Sequence, residues 1–178
     1  MNLTKGRTKM KTLVDLTGAT GLPVDVHLVL DLVIPVNDGM QAQGDLLVVP
    51  LDEVTGKVAV RAGAAWREVP TEGVELLRGG AGGNAHTLVA DPDTCVWTTQ
   101  VHDADGLALG VFEAMAPVYL LHREHGGTGI APGRYVVRRQ REQAPPAPPE
   151  YRAVAGGHRE VPRGLQAPRE PRVRLVAD

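Results

Sequence analysis

Apolar and polar residues alternate with a period of two over residues 24–34. Asp25, His27 and Asp31 fall on one parity, and Val24, Val26, Leu28, Leu30 and Leu32 on the other. That pattern predicts a half-buried strand with His27 on its solvent face. Asn37-Asp38-Gly39 is a turn signal, and residues 45–51 (DLLVVPL) read as a second strand ending at a proline. Thr55-Gly56 then turns the chain into residues 57–61, where charged and apolar side chains alternate. Further strands are predicted over residues 74–78, 86–90, 95–99, 107–113, 117–122 and 134–139. Segments rich in Gly, Asn and Asp at 79–84, 91–93, 103–106 and 126–129 separate them as turns. Residues 61–73 have room for one helical turn. The fold class expected is therefore all-β, a sandwich or open barrel of about eight short strands, with extended N- and C-terminal arms.

Composition supports short strands over long helices. The 178 residues include 21 Gly and 14 Pro, and 43% of the chain is apolar but only 3% aromatic, so Val, Leu, Ala and Ile must build the core. Cys95 is the only cysteine, which excludes an internal disulfide framework and a cysteine zinc cage, and it reads as a small buried apolar residue. Serine is absent, which excludes a serine nucleophile. The basic N-terminus is not followed by an apolar stretch of signal-peptide length, and no run approaches the roughly 18 apolar residues of a membrane span. An aqueous setting without a membrane partner is expected.

Charge divides the chain into three parts. A basic N-terminal arm, 1–23, carries Lys5, Arg7, Lys9 and Lys11. A β-rich body spans 24–143. A Pro/Arg-rich extended C-terminal arm, 144–178, begins with Ala144-Pro145-Pro146-Ala147-Pro148-Pro149, a semi-rigid polyproline spacer, and goes on through Arg159, Arg163, Arg169, Arg172 and Arg174. From residue 134 onward ten arginines face five acids. Residues 13–133 hold five basic and sixteen acidic side chains, a net of −11, although the whole chain is only −2. An acidic body with basic arms attracts the arms of its neighbours and repels a polyanion, so protein neighbours rank above nucleic acid as partners.

His86, His102, His122, Glu124 and His125 form the one cluster with chemistry to weigh. Neutral imidazoles and a carboxylate suit a divalent metal ion such as Zn²⁺ or Fe²⁺, and strand ends of a double-sheet fold can gather them. The competing reading places His122 and His125 in an exposed loop, with Glu124 paired to Arg123 or Arg134. The spacing is not H-E-x-x-H, and the following glycines forbid the helix that motif needs. Gly79–Gly83 lacks the G-K-[ST] ending of a phosphate loop. Asp103 and Asp105, beside Gly106, offer a weak Ca²⁺ site.

Four stretches carry a resemblance: Gly44–Pro50 (GDLLVVP), Gly83-Asn84-Ala85-His86, Leu121-His122-Arg123-Glu124-His125 and Gly133–Glu142 (GRYVVRRQRE). Together they resemble a family of small uncharacterised proteins encoded in phage genomes and some bacteria, with the motifs G-H-A-H, L-x-H-x-E-H and G-x-Y-x-V-x-x-Q-R-E. Asn84 stands where that family has the first histidine of G-H-A-H. The resemblance implies phage association more than an activity. Joined to the charge layout, it leads to the expectation of a virion structural protein, a capsid decoration or stabilising subunit. Its arms would bind other copies of itself and a major capsid protein or similar assembly, in a virion assembled in the host cytoplasm. The alternative expectation is a metal-binding protein or enzyme of cupin-like shape, using His86, His122 and His125; otherwise no cofactor is expected.

Overall fold

A computed structural model of the protein describes residues 10–78, 83–142 and 174–175. One helix, α1 (Leu13–Thr20), precedes β1 (Val36–Asn37), β2 (Gln41–Gln43) and β3 (Leu46–Pro50). A short 3-10 turn over Leu51–Val54 leads to β4 (Val58–Val60), β5 (Arg67–Glu68), β6 (Val74–Arg78) and β7 (Ala85–Val89). Then come β8 (Cys95–Thr98), β9 (Val101–Asp103), β10 (Ala108–Ala114) and β11 (Val118–His122). The last are β12 (Gly126–Ile130), β13 (Gly133–Arg139), β14 (Arg141–Glu142) and β15 (Arg174–Leu175).

Two open sheets face each other. The first has the order β1-β12-β11-β7-β6, and the second β2-β3-β13-β10-β8-β5; β4 pairs with β9 and β14 with β15. Alternation along each strand sends one parity between the sheets. Leu88, Val118, Leu120 and Ile130 from the first sheet meet Leu46, Val48, Trp97, Phe112, Tyr135 and Val137 from the second. The opposite parity is buried too. Val49, Val111 and Val136 are covered by Leu51 and Val58, and Val89, Tyr119 and Leu121 by Leu13, Leu16 and Ile34. Strands buried on both faces read as continuous apolar runs, as in Val118-Tyr119-Leu120-Leu121, every residue of which is buried. The fold is thus the expected β-rich sandwich of open sheets, not a closed barrel.

Several local expectations are corrected. Residues 13–20, assigned to the basic arm, are helical because Thr12 and Asp15 form a capping box, with Asp15 N donating to Thr12 Oγ1 (3.2 Å) and Thr12 N to Asp15 Oδ2 (2.8 Å). Gly21 ends the helix at φ +70°. Residues 24–34 form no strand. They run as a turn-rich segment pinned by Val14 N to Leu30 O (3.0 Å), Asp25 N to Arg123 O (3.0 Å) and Ile34 N to Lys11 O (2.8 Å). His27 is exposed, but so are Val26, Leu30 and Leu32. Residues 126–129, read as a turn, lie in β12. A Cβ on Gly127 would sit 2.5 Å from Ile34 Cδ1, and one on Gly129 would sit 2.5 Å from Pro35 O. Glycine there admits the close approach of residues 34–36, so a turn-forming composition serves a strand.

The suggested Ca²⁺ site is already engaged. Asp103 accepts from Leu107 N (3.0 Å) and Ala108 N (2.7 Å), and Arg138 reaches both Asp103 (3.2 Å) and Asp105 (2.8 Å). Residues 61–73 contain β5 where one helical turn was expected.

Candidate functional site at one end of the sandwich

The L-H-R-E-H stretch is a hairpin loop. His122 pairs with Gly126 across β11 and β12, leaving Arg123, Glu124 and His125 as a three-residue connection, and Gly126 takes φ +73°. A left-handed glycine closing a three-residue loop matches the strand twist. His122 points inward and is buried, while Glu124 and His125 are exposed. His122 Nδ1 accepts from the backbone N–H groups of Glu124 (3.2 Å) and His125 (3.3 Å). This fixes the tautomer: Nδ1 supplies the lone pair and Nε2 carries the proton.

His86, on β7, is buried beside it. Gln43 Nε2 donates to Leu120 O (3.3 Å) and Thr128 Oγ1 (3.0 Å), which turns Gln43 Oε1 toward His86 Nδ1 at 3.2 Å. His86 Nε2 lies 2.9 Å from Asp45 Oδ1. Both ring nitrogens therefore face oxygen acceptors. The rings of His86 and His122 stack at 4.3 Å, and those of His122 and His125 at 4.4 Å. A column of three imidazoles thus runs from the buried couple to the surface.

The structure brings His86, His122 and His125 together, places His102 apart from them, exposed on β9, and leaves Glu124 aside. Its Oε1 accepts from Asn84 Nδ2 at 2.6 Å, and neither Arg123 nor Arg134 is its partner: Arg123 holds Asp25 (2.8 Å) and Arg134 lies nearest Glu113 (3.6 Å). The exposed-loop expectation holds for His125 and fails for His122. Among the described residues, no group of three or more His, Cys, Asp or Glu is arranged to hold a metal ion. Stacked rings lie in near-parallel planes, and ligation through His122 Nε2 would first require its proton to move to Nδ1, which faces two N–H donors. Gln43 and Asp45 were missed as site residues; the Gln-Gly-Asp run before an apolar strand was their only signal.

Of the arm residues, Lys11 is tied to the body, its Nζ 2.5 Å from Asp91 Oδ1 and its backbone N–H donating to Tyr119 Oη (3.0 Å). Arg174 lies in β15, antiparallel to β14. Lys5, Arg7, Lys9, Arg159, Arg163, Arg169 and Arg172 lie outside the described residues.

Four distant stretches meet at this end of the sandwich. Asp45 touches His86, Asn84 touches Glu124, His122 stacks on His86, and Gln140 N donates to Asp45 O at 2.8 Å. Residues 42–140, which contain all of them, match the family described as Domain of unknown function (DUF8820). The chain belongs to this family. No curated protein and no solved structure matches it. The DUF8820 match takes in most of the sandwich and its histidine end, and leaves α1, the segment 22–35, β1 and both basic flanks outside. Among the described residues, no helix is long and apolar enough to cross a membrane.

Proposed function

We propose that this chain is an assembly subunit, a phage virion structural protein of the capsid-decoration kind, in which the DUF8820 sandwich is a rigid body and the flanking segments bind neighbouring subunits. One observation carries this reading. The pinned segment 22–33 turns Val24 and Leu28 inward but leaves Val26 fully exposed, with Val29, Leu30, Leu32 and Val33 exposed beside it and Val14 on α1 nearby. Monomeric proteins rarely gather this many exposed large apolar side chains in one short segment, and its backbone hydrogen bonds hold it in place. The acidic body and basic flanks add charge complementarity between copies. The phage setting rests on the resemblance of the motifs at 83–86, 121–125 and 133–142. Co-sedimentation of the full chain with assembled particles tests the reading; a protein that stays monomeric and never sediments with particles overturns it.

A second reading is favoured by the convergence of four stretches on the histidine end: a metal-binding protein or enzyme of cupin-like shape. It requires His122 to rotate away from the loop N–H groups, with Asp45 taking the place expected of Glu124. Elemental analysis of native protein and of His122→Ala separates the readings. Stoichiometric metal lost on substitution supports the second, and its absence from both leaves the histidines as a buried polar brace.

A further inference from the structure

The two large sheets have four edge strands, and β6, with five residues, is the longest of them. The other edges, β1, β2 and β5, have two, three and two residues. Among the described residues β6 pairs only with β7, and residues 74–78 make no backbone hydrogen bond to any other segment. Its second side is therefore a row of peptide N–H and C=O groups that another strand can extend.

The side chains of this edge complement a copy of themselves. Glu75-Leu76-Leu77-Arg78, laid antiparallel to itself, sets Glu75 opposite Arg78 and Leu76 opposite Leu77. In a regular strand Glu75 and Arg78 would point to opposite faces. Here Glu75 pairs with Thr87 and Leu77 with His86, so Leu76 is the extra residue of a bulge. The bulge returns Glu75 and Arg78 to one exposed face, where Arg78 Nε and Nη2 donate to Glu75 at 3.1 and 2.5 Å. Leu76 and Leu77 both pack against the core between the sheets. The faces thus run out, in, in, out, the same in either direction. A bulge ordinarily discourages edge pairing because the incoming strand has nothing to match it, but a second β6 carries the same bulge at the same place. A shift of one residue would set Glu75 against Leu77 and an outer face against an inner one, which fixes the register. The backbone groups accept any extended segment; the order of faces and charges selects a second β6.

We propose that β6 pairs antiparallel with β6 of a second copy of this chain across a two-fold axis, Glu75 facing Arg78, so that the first sheets of the two copies become one continuous sheet. The inference rests on the assembly reading and puts one of its contacts inside the DUF8820 sandwich. So short a pairing buries less than a stable interface needs, and it adds to the contact at 26–33 without replacing it.

Disulfide trapping in the full chain tests it. Facing residues of an antiparallel pair bring their Cβ atoms to about 4.5–5.5 Å, near disulfide reach, whereas the two copies of residue 75 would lie about 10 Å apart along the strands. Chains carrying Glu75→Cys are mixed with ¹⁵N chains carrying Arg78→Cys under a glutathione couple; Cys95 is buried and stays out. The expected result is a mixed 75–78 disulfide exceeding either homodisulfide about tenfold. Without added cysteine, Arg78→Glu sets glutamates opposite each other and should weaken association about tenfold, and Glu75→Arg/Arg78→Glu should restore it. Homodisulfides as abundant as the mixed one, no rescue by the charge swap, or no trapping in a chain that associates overturn this contact and leave the assembly reading standing. A chain that is monomeric at every concentration and traps nothing removes both.

Discussion

His86 Nε2 lies 2.9 Å from Asp45 Oδ1, and the two side chains come from opposite sheets, one on β7 and the other on the residue before β3. The contact ties the sandwich together at its histidine end. Removing one partner leaves the other buried without its counterpart, so Asp45→Leu alone is expected to cost about 3–5 kcal/mol. The double variant Asp45→Leu/His86→Phe should cost less than the two single changes added together. Chemical denaturation of the three variants checks this, and simple additivity would mean the pair is not coupled.

Asp103 gives the body an acid-sensitive point. Burial raises its carboxyl, but the N–H groups of Asp105, Ala108 and Leu107 and the Arg138 charge outweigh that and hold it below its ordinary value. A depressed folded pKa contributes stability above the unfolded value, about 3.9, that is lost as pH falls through the folded one. Asp103→Asn should therefore cost about 2–4 kcal/mol at neutral pH and make the fall in stability below about pH 4 shallower. Thermal melts from pH 7 to pH 2.5 would show it; parallel acid profiles for the two proteins would rule it out.

The Cys95 thiol is pushed up to about 12 by burial alone. It should resist thiol-specific reagents at pH 8 in the folded protein and react fully in denaturant. Rapid labelling of the native chain would show that β8 opens on its own.

Two glycines of β12 should respond differently to the same change. Gly127→Ala strikes the movable Ile34 side chain, whereas Gly129→Ala strikes the Pro35 carbonyl. Each is expected to lose about 1–3 kcal/mol, and Ile34→Ala should rescue part of the first and none of the second. Equal rescue of both would contradict the packing described for residues 34–36.

These glycines also mark what a linear reading catches. Apolar runs gave most major strands within a residue or two, because strands covered on both faces leave a strong signal, as at residues 118–122. Gly126–Ile130 was lost because glycine signals a turn locally, and only the approach of residues 34–36 explains a strand. The capping box at Thr12 and Asp15 was legible, but the helix it starts is eight residues long and depends on burial of Leu13 and Leu16. The alternation at 24–34 is real and misleads, since strand parity has no meaning in a segment pinned by turns. At the site, motifs brought His86, His122 and His125 forward. Gln43 and Asp45 stayed hidden because their partners are more than forty residues away, and Glu124 was misassigned because its partner, Asn84, sits on another hairpin.

The exposed apolar residues at 26–33 are the proposed interface between copies. Sedimentation velocity of the full chain over a wide concentration range, beside Val29→Asp/Leu32→Asp, tests that directly. Both positions are exposed, so the double variant should change folding stability by no more than about 0.5 kcal/mol per site. The predicted result is concentration-dependent association of the natural chain and a monomeric variant. A natural chain that sediments as a monomer at every concentration, indistinguishable from the variant, would contradict it.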